Sequence, residues 1–254
     1  MGKKGKVGRL KRNPAPRFWP IHRKEAVWIV RPSPGPHSLE KCLPLSLVLR
    51  DILKVAETRK EAKKAIAKGK VYVDGKVRLK DDFPVGLMDI ISMPDLNKFY
   101  RILPSHKGLF LNPISKEEAS FKLLRVEDKN LVKNGKLQIA LHDGTILVAK
   151  AEGPENQEVV YETFATLKLG LPEKEVLDQL KTKKGNIAVI TGGKNIGKQG
   201  KIVEIEKTEA KKRRNALVVV EDEKGGRYQT ILDFVFSIGG AKSFISLPEV
   251  NSVV

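Results

Sequence analysis

The chain has 254 residues, and its 48 Lys and Arg against 30 Asp and Glu give a formal net charge of +18. Such an excess repels itself in a compact fold unless a partner supplies negative charge, which favours a polyanion as the partner. No uncharged apolar run approaches the roughly 20 residues that span a bilayer, and the basic N-terminus leads into no apolar signal region. The single cysteine, Cys42, excludes an internal disulfide and is typical of a reducing cytosol.

The first 24 residues are basic, contain no acid, and include glycines and prolines that interrupt any helical period. They predict an arm without folded elements that orders along nucleic-acid phosphates, the alternative being a solubilising tail. Trp19 and His22 could stack on a base, although Trp19 could equally dock on the body of the protein. The stretch RPSPGPH, residues 31–37, then predicts an extended strap. The cations of the arm are Lys3, Lys4, Lys6, Arg9, Lys11, Arg12, Arg17, Arg23 and Lys24.

Two short helices and a hairpin are predicted next. Apolar residues recur every three or four positions over 45–53, which is the period of an amphipathic helix. Thr58 opens a T-x-x-E capping box for a second helix, and Gly69 is placed to end it. Lysines cover the face opposite Ala62, Ala65 and Ile66, and by themselves they could be simply solvated. Asp74-Gly75 predicts a tight turn between two strands.

This order of elements resembles the S4-type RNA-binding module over residues 43–93. The resemblance depends on Gly69, Val71, Val73, Gly75 and Val77. It implies that the second helix and the hairpin lie against RNA phosphates. Thr58-Arg59 replaces the Ser-Arg usual in bacterial members, which keeps both a cap and a cation. The implied RNA-binding residues are Arg59, Lys60, Lys63, Lys64, Lys70, Lys76 and Arg78.

Residues 95–180 are predicted to be mostly β. In KLQIALHDGTILV, residues 136–148, apolar side chains alternate on both sides of a turn at Asp143-Gly144. Acids, histidines and cysteine show no metal-ligand or catalytic-triad spacing, so the residues indicate no metal, cofactor or catalytic site.

The stretch TGGKNIGKQG, residues 191–200, matches a nucleotide-binding P-loop at all but its last position. Gln199 stands where a Ser or Thr hydroxyl would bind Mg²⁺, and Gly200 with the β-branched residues after it predicts a strand instead of a helix. Since a P-loop needs the helix N-terminus to hold phosphate, we reject the nucleotide site.

Residues 185–206 instead resemble the KOW motif of small SH3-like barrels, in which a glycine-rich loop joins two strands. The resemblance implies that Lys194, Lys198 and Lys201 face phosphate, unless they only keep the turn soluble. A further basic loop is expected at Lys211, Lys212, Arg213 and Arg214.

The whole chain resembles the S4e family of small-subunit ribosomal proteins of archaea and eukaryotes. The motifs that carry this resemblance are RPSPGPH, CLPL, DGKVR, GLMDIIS, VITGG and ISLP, in that order along the chain. It implies a multidomain α+β protein that binds ribosomal RNA in the cytoplasmic ribosome, beside neighbouring ribosomal proteins. It also implies no catalytic function of its own, no membrane partner and no small-molecule substrate. The expected domains are the arm and strap at 1–42, the S4-type module at 43–106, a central β domain at 107–180 and a KOW SH3-like barrel at 181–254.

Two other classes stay open at this point: an RNA-modifying enzyme that carries an S4-type module, and a KOW-type transcription elongation factor. The first needs a catalytic constellation, which the central region does not show. The second leaves the arm and the two-helix module unexplained.

The resemblance also implies a source. Eukaryotic members of the S4e family are expected to carry a longer C-terminal tail than this sequence of 254 residues, so an archaeal source is expected.

Overall fold

A computed structural model of the chain describes residues 10–22, 24–132, 135–150, 161–206 and 213–248. It divides into two compact units, Met1–Ile102 with Lys107–Pro113, and Leu103–His106 with Ile114–Val254. Several predicted RNA-binding cations lie outside the described residues, and so does the side chain of Arg213. These cations are Lys3, Lys4, Lys6, Arg9, Arg23, Lys211 and Lys212.

The first unit combines short strands with two short helices. Its helices are α1 (Leu45–Leu47), which continues as a π-helical turn over Val48–Ile52, and α2 (Arg59–Ala67), with 3-10 turns at Leu39–Lys41 and Pro94–Leu96. Its strands are β1 (Leu10–Lys11), β2 (Trp28–Ile29), β3 (Cys42–Pro44), β4 (Tyr72–Val73), β5 (Lys76–Val77), β6 (Pro84–Gly86), β7 (Ile90–Met93), β8 (Lys98–Ser105, which runs on into the second unit) and β9 (Gly108–Pro113). Strand β1 pairs with β2 and β3 with β6, while a larger sheet has the order β5-β4-β7-β8-β9.

The predicted helices form where their apolar faces can be buried. Leu45, Val48 and Leu49 are buried, but the first helix widens, because the Leu53 N–H donates to the Val48 carbonyl five residues back, at 2.9 Å. Helix α2 has the predicted capping box: the Thr58 hydroxyl accepts from the Glu61 N–H at 3.3 Å, and the Glu61 carboxylate accepts from the Thr58 N–H.

The hairpin predicted at Asp74-Gly75 is confirmed. Both residues have positive φ, +52° and +73°, as a two-residue hairpin turn requires, and Tyr72 pairs with Val77 across it. The Asp74 carboxylate also accepts from the Ile90 N–H at 3.0 Å, which ties the turn to the start of β7. The position of the hairpin is therefore fixed within its sheet.

The prediction of an N-terminal arm without folded elements is wrong for residues 10–22. Leu10 pairs with Ile29, and Trp19 is only 2% exposed, with its indole N–H donating to the Cys42 carbonyl at 2.8 Å. Leu10 and Ile21 join the same apolar core. The apolar residues interspersed among the cations, above all the large Trp19 ring, bury enough surface to fold this segment.

The second unit consists of two antiparallel sheets with strand orders β12-β11-β10-β13-β14 and β18-β17-β16-β15-β19. The strands of the first sheet are β10 (Phe121–Val132), β11 (Lys136–Leu141), β12 (Ile146–Lys150), β13 (Thr166–Gly170) and β14 (Val176–Leu180). The strands of the second are β15 (Ile187–Ile190), β16 (Gln199–Glu206), β17 (Leu217–Glu221), β18 (Arg227–Ile231) and β19 (Val235–Gly239). Short 3-10 turns lie at Glu118–Ser120, Arg213–Asn215 and Leu232–Phe234. The described chain consists mostly of antiparallel sheets with a few short helices, which is an α+β fold.

A buried ion pair supports the predicted hairpin at Asp143-Gly144, which is confirmed between β11 and β12. Lys122 and Asp143 are both almost fully buried, with Nζ and Oδ2 3.4 Å apart. Burial alone would raise the pKa of Asp143, but the Lys122 ammonium and the N–H and hydroxyl of Thr145 hold that pKa below its ordinary value. The turn carboxylate therefore stays ionised inside the sheet.

Arg125 links the two sheets of the second unit. Its Nη1 donates to the backbone carbonyls of Asp233 and Val235, at 2.6 and 3.1 Å. Nearby, the Thr166 hydroxyl donates to the Ser237 carbonyl at 2.7 Å. These side chains of β10 and β13 donate to backbone carbonyls in β19 and just before it. Hydrogen bonds therefore connect the two sheets.

Replacement of Trp19 tests the docking of the N-terminal segment. Trp19→Phe leaves the buried Cys42 carbonyl without its donor, and we expect it to lower the free energy of unfolding by about 1–3 kcal/mol. The matched change Trp28→Phe, at a residue that is 53% exposed, should alter it by no more than about 0.5 kcal/mol. Urea denaturation followed by circular dichroism measures both. Equal unfolding midpoints for the two variants would show that the indole contact contributes nothing.

Candidate nucleic-acid interface

Helix α2 presents a row of lysines on the side away from its core contacts. Ala62 and Ile66 are fully buried, whereas Lys60, Lys63 and Lys64 are exposed. Within the described residues, no carboxylate forms an ion pair with these three ammonium groups. A helix holds them at fixed spacing, so the row offers a surface of positive potential that an anionic partner can neutralise.

Three other predicted cations of this module already have contacts within the protein. Arg59 is 3.0 Å from Asp81, Lys70 is 3.0 Å from Asp95, and the Arg78 guanidinium lies 4.2 Å from the centre of the Phe83 ring. The first two pairs are exposed to water, where an ion pair contributes only about 0–1 kcal/mol. Such pairs can exchange a carboxylate for a phosphate at little cost. Lys76 is exposed on β5.

The described cations of the N-terminal segment meet around one cavity. Lys11, Arg12, Arg17 and Lys24 all contribute to its lining. The sequence predicted these cations but not that the chain folds them around a common space. Trp28, which the sequence analysis did not single out, lies opposite Lys11 in the β1–β2 pairing. The signal that could have found it is the short apolar run that follows the basic segment.

The glycine-rich stretch forms the strand, loop and strand that its sequence predicts. Strand β15 ends at Ile190, and β16 begins at Gln199 with no helix between them, which confirms the rejection of a P-loop. Gly197 has φ +83°, and a Cβ there would lie 2.9 Å from the backbone of Ser105 and His106. A Cβ on Gly200 would lie 2.1 Å from the Glu221 carbonyl oxygen. Both glycines are needed for close backbone approach.

The lysines of this loop differ in their surroundings. Lys194 and Lys201 are exposed, whereas the Nζ of Lys198 lies 5.3 Å from the centre of the Tyr228 ring. The Asn195 amide donates to the Gln229 carbonyl at 3.2 Å and fastens the loop to β18. Arg214, the last residue of the second basic loop, is exposed. The structure thus places Lys194 and Lys201 for contact with solvent or a partner, and leaves their assignment to RNA a prediction.

Neither a metal centre nor a membrane helix is found in the part of the chain that the structure describes. Its His, Cys, Asp and Glu side chains form no group of three or more suited to a metal ion. None of its helices has the length and apolar character to cross a membrane. Cys42 is buried, and burial, followed by the nearby Asp89 charge, raises the pKa of its thiol to about 12, which makes it unreactive.

A lysine-bearing two-helix module with a hairpin, followed by antiparallel sheets, defines an RNA-binding protein built on an S4 domain. Family models agree along the chain: the RS4NT domain matches residues 4–40, the S4 domain residues 44–91, and the ribosomal family S4e residues 96–176. The chain is also 47% identical over 251 residues to the small ribosomal subunit protein eS4 of Desulfurococcus amylolyticus, covering 98% of this chain and 99% of that one. The chain belongs to the ribosomal family S4e.

Other relatives agree with this membership. The small ribosomal subunit protein eS4 of Methanocaldococcus jannaschii is 42% identical over 252 residues, covering 97% of this chain and all of that one. The crystal structure of the 30S ribosomal protein S4e from Thermoplasma acidophilum is 30% identical, with a TM-score of 0.66 over 81% of this chain and 99% of that chain.

Alanine substitution tests the lysine row of α2. Changing Lys60, Lys63 and Lys64 together to Ala keeps the helix, since Ala has the highest helix propensity. If each lysine neutralises one phosphate, the slope of log affinity for small-subunit ribosomal RNA against log salt should fall by roughly two to three. Lys184→Ala, at an exposed lysine outside the predicted surfaces, is the control. An unchanged slope in the triple variant would mean that these lysines are only solvated.

The close approach at Gly200 gives a stability test. Gly200→Ala forces its Cβ into the Glu221 carbonyl, and we expect several kcal/mol of destabilisation from the displaced β16–β17 pairing. Gly240→Ala, where a Cβ meets nothing within 4 Å, should change stability by no more than about 0.5 kcal/mol. Thermal unfolding of both variants measures this. A Gly200→Ala protein as stable as the Gly240→Ala control would contradict the constraint.

Proposed function

We infer that the protein is a structural constituent of the small ribosomal subunit that binds ribosomal RNA in the cytoplasmic ribosome. The observation that carries this function is the match over nearly the whole chain to proteins named small ribosomal subunit protein eS4, at 40–47% identity. The family is ribosomal and the protein is not an enzyme. The RNA-modifying enzyme and the elongation factor are not favoured, since neither accounts for a match of this extent.

We propose that RNA binding is electrostatic clamping by several basic surfaces. The surfaces are the N-terminal segment, the α2 row with its hairpin, and the loop between β15 and β16. Lys60, Lys63 and Lys64 are exposed and form no ion pair with a described carboxylate, which supports this mechanism. Each lysine–phosphate contact releases condensed counterions, so binding should weaken as salt rises. Specificity would come from the placement of the surfaces and the shape of the folded RNA, because lysines on a helix face read the backbone and not the base edges.

We also propose that the β15–β19 sheet is a KOW-type SH3-like barrel within the domain at 181–254. The strand–loop–strand arrangement and the close approach at Gly200 support this proposal. A basic N-terminal segment, docked over residues 10–22, and the strap at 1–42, the S4-type module at 43–106 and the central β domain at 107–180 would complete the division. Neighbouring ribosomal proteins are the further partners that we propose beside ribosomal RNA.

Sedimentation of cell lysate through a sucrose gradient in high salt tests the function. We expect the protein to migrate with the small subunit at near-stoichiometric level, detected by immunoblot. The triple lysine variant, expressed beside the wild type, should be released from the subunit at lower salt. Recovery of the wild-type protein mainly at the top of the gradient would overturn the assignment to the ribosome.

A further inference from the structure

The β1–β2 region contains a basic cavity of about 730 Å³. This volume lies in the range of roughly 300–1,000 Å³ that is usual for small-molecule sites. Among the described residues no carboxylate contributes to the lining, and Glu25, although it follows Lys24 in the chain, does not line the cavity. The lining residues are Lys11, Arg12, Asn13, Ala15, Arg17, Lys24, Ala26 and Val27. The composition fits an anionic occupant.

Hydrogen bonds hold the wall of this cavity in place. The Arg12 guanidinium donates twice to the Ile21 carbonyl, at 3.1 and 3.0 Å, and the Arg12 N–H donates to the Val27 carbonyl at 3.2 Å. Trp19, in the same segment, is anchored on the Cys42 carbonyl. The cations are therefore presented by a folded segment, so a ligand need not first order them.

Trp28 supplies an aromatic surface beside the cavity. It is 53% exposed, whereas Trp19, the other tryptophan of the chain, is 2% exposed. Lys11 links the two features, because it lines the cavity and its Nζ lies 5.5 Å from the centre of the Trp28 ring. An exposed aromatic ring next to a group of cations is the combination that binds unpaired nucleotides, with the base on the ring and phosphates on the cations.

We propose that the cavity and Trp28 form a subsite for an unpaired nucleotide of an RNA strand. The base stacks on the indole of Trp28, and the adjoining phosphates contact Lys11, Arg17 and Lys24. This inference rests on the proposed function as an RNA-binding protein and adds a contact to a base, where phosphate clamping provides none. Stacking tolerates any base, because every base has a π-face, so the subsite selects an unpaired nucleotide and not a particular sequence.

The charge of the cavity distinguishes this occupant from a protein. Val27 and Trp28 are both exposed, at 68% and 53%, and by themselves they could dock an apolar protein surface. Four cations and no carboxylate are found in the described lining of the cavity, and such a site repels basic partners and attracts a polyanion. A nucleotide uses both the ring and the cations.

The test compares two oligonucleotides on the full-length protein: oligouridine and an abasic oligonucleotide of the same length. Trp28→Leu should weaken binding of oligouridine roughly 5- to 150-fold and leave binding of the abasic strand unchanged. Trp28→Phe, which keeps a ring, should remain within a few-fold of the wild type for both. Saturating oligouridine should also quench the wild-type tryptophan fluorescence, and this quenching should be absent in Trp28→Leu.

A second series tests the phosphate contacts. The double variant Lys11→Ala with Arg17→Ala should lower the slope of log affinity against log salt by roughly 1.4 for both strands.

Fluorescence of Trp19 in Trp28→Leu reports folding of the segment, since it is then the one tryptophan left. Equal affinity of wild type and Trp28→Leu for oligouridine would overturn the stacking proposal. The proposal would also be overturned if Trp28→Leu lost the same affinity for oligouridine and for the abasic strand while Trp19 stayed buried. A shift of Trp19 emission to the red would mean that the segment has unfolded in Trp28→Leu. The proposal is then tested on the wild type alone, and it is overturned if saturating oligouridine does not quench wild-type fluorescence. Each of these outcomes concerns only the subsite, because the proposed function stands as long as the wild type binds RNA. Loss of RNA binding by the wild type would instead contradict the proposed function.

Discussion

The excess of cations over anions is the constraint on which this protein depends. Some of the described carboxylates pair with cations of the protein: Asp81 and Asp95 form pairs open to water in the S4-type module, and Asp143 is buried against Lys122. With 48 Lys and Arg against 30 Asp and Glu, the chain has too few acids to neutralise all its cations. Self-repulsion of the excess cations is relieved when phosphate supplies the missing charge. Solubility of the free protein and binding to RNA therefore have the same origin.

The ion pairs of the protein fall into two kinds with different consequences. Lys122 and Asp143 are shielded from water, and breaking such a buried pair typically costs about 3–5 kcal/mol. The Lys174 ammonium, 3.8 Å from Asp143, offsets part of that cost when Lys122 is removed. Arg59–Asp81 and Lys70–Asp95 are open to water and contribute little to stability. The buried pair thus stabilises a turn, whereas the two exposed pairs can be broken at little cost.

Local signals in the sequence were enough to predict much of the first unit. The capping box of α2 and the turn at Asp74-Gly75 depend on residues a few positions apart, and both formed as predicted. The same holds for the strand, loop and strand around Gly197. Docking of Trp19 on the body of the protein was one of the alternatives that the sequence left open. Its acceptor could not be predicted, because the Cys42 carbonyl lies 23 positions along the chain. The cavity lined by Lys11 forms only in the folded segment, so it could not be predicted from the sequence either.

The Trp19 contact also has a consequence for the order in which the protein is made. The acceptor, Cys42, lies in β3, and β3 pairs with β6 through Cys42 and Gly86. Since a chain is synthesised from its N-terminus, the basic segment is made before β3, which carries the Trp19 acceptor, and before β6, which pairs with β3. During that interval Trp19 lacks its acceptor, and a polyanion nearby can compete for the cations of the segment. Formation of β3 and its pairing with β6 then supplies the carbonyl on which Trp19 docks.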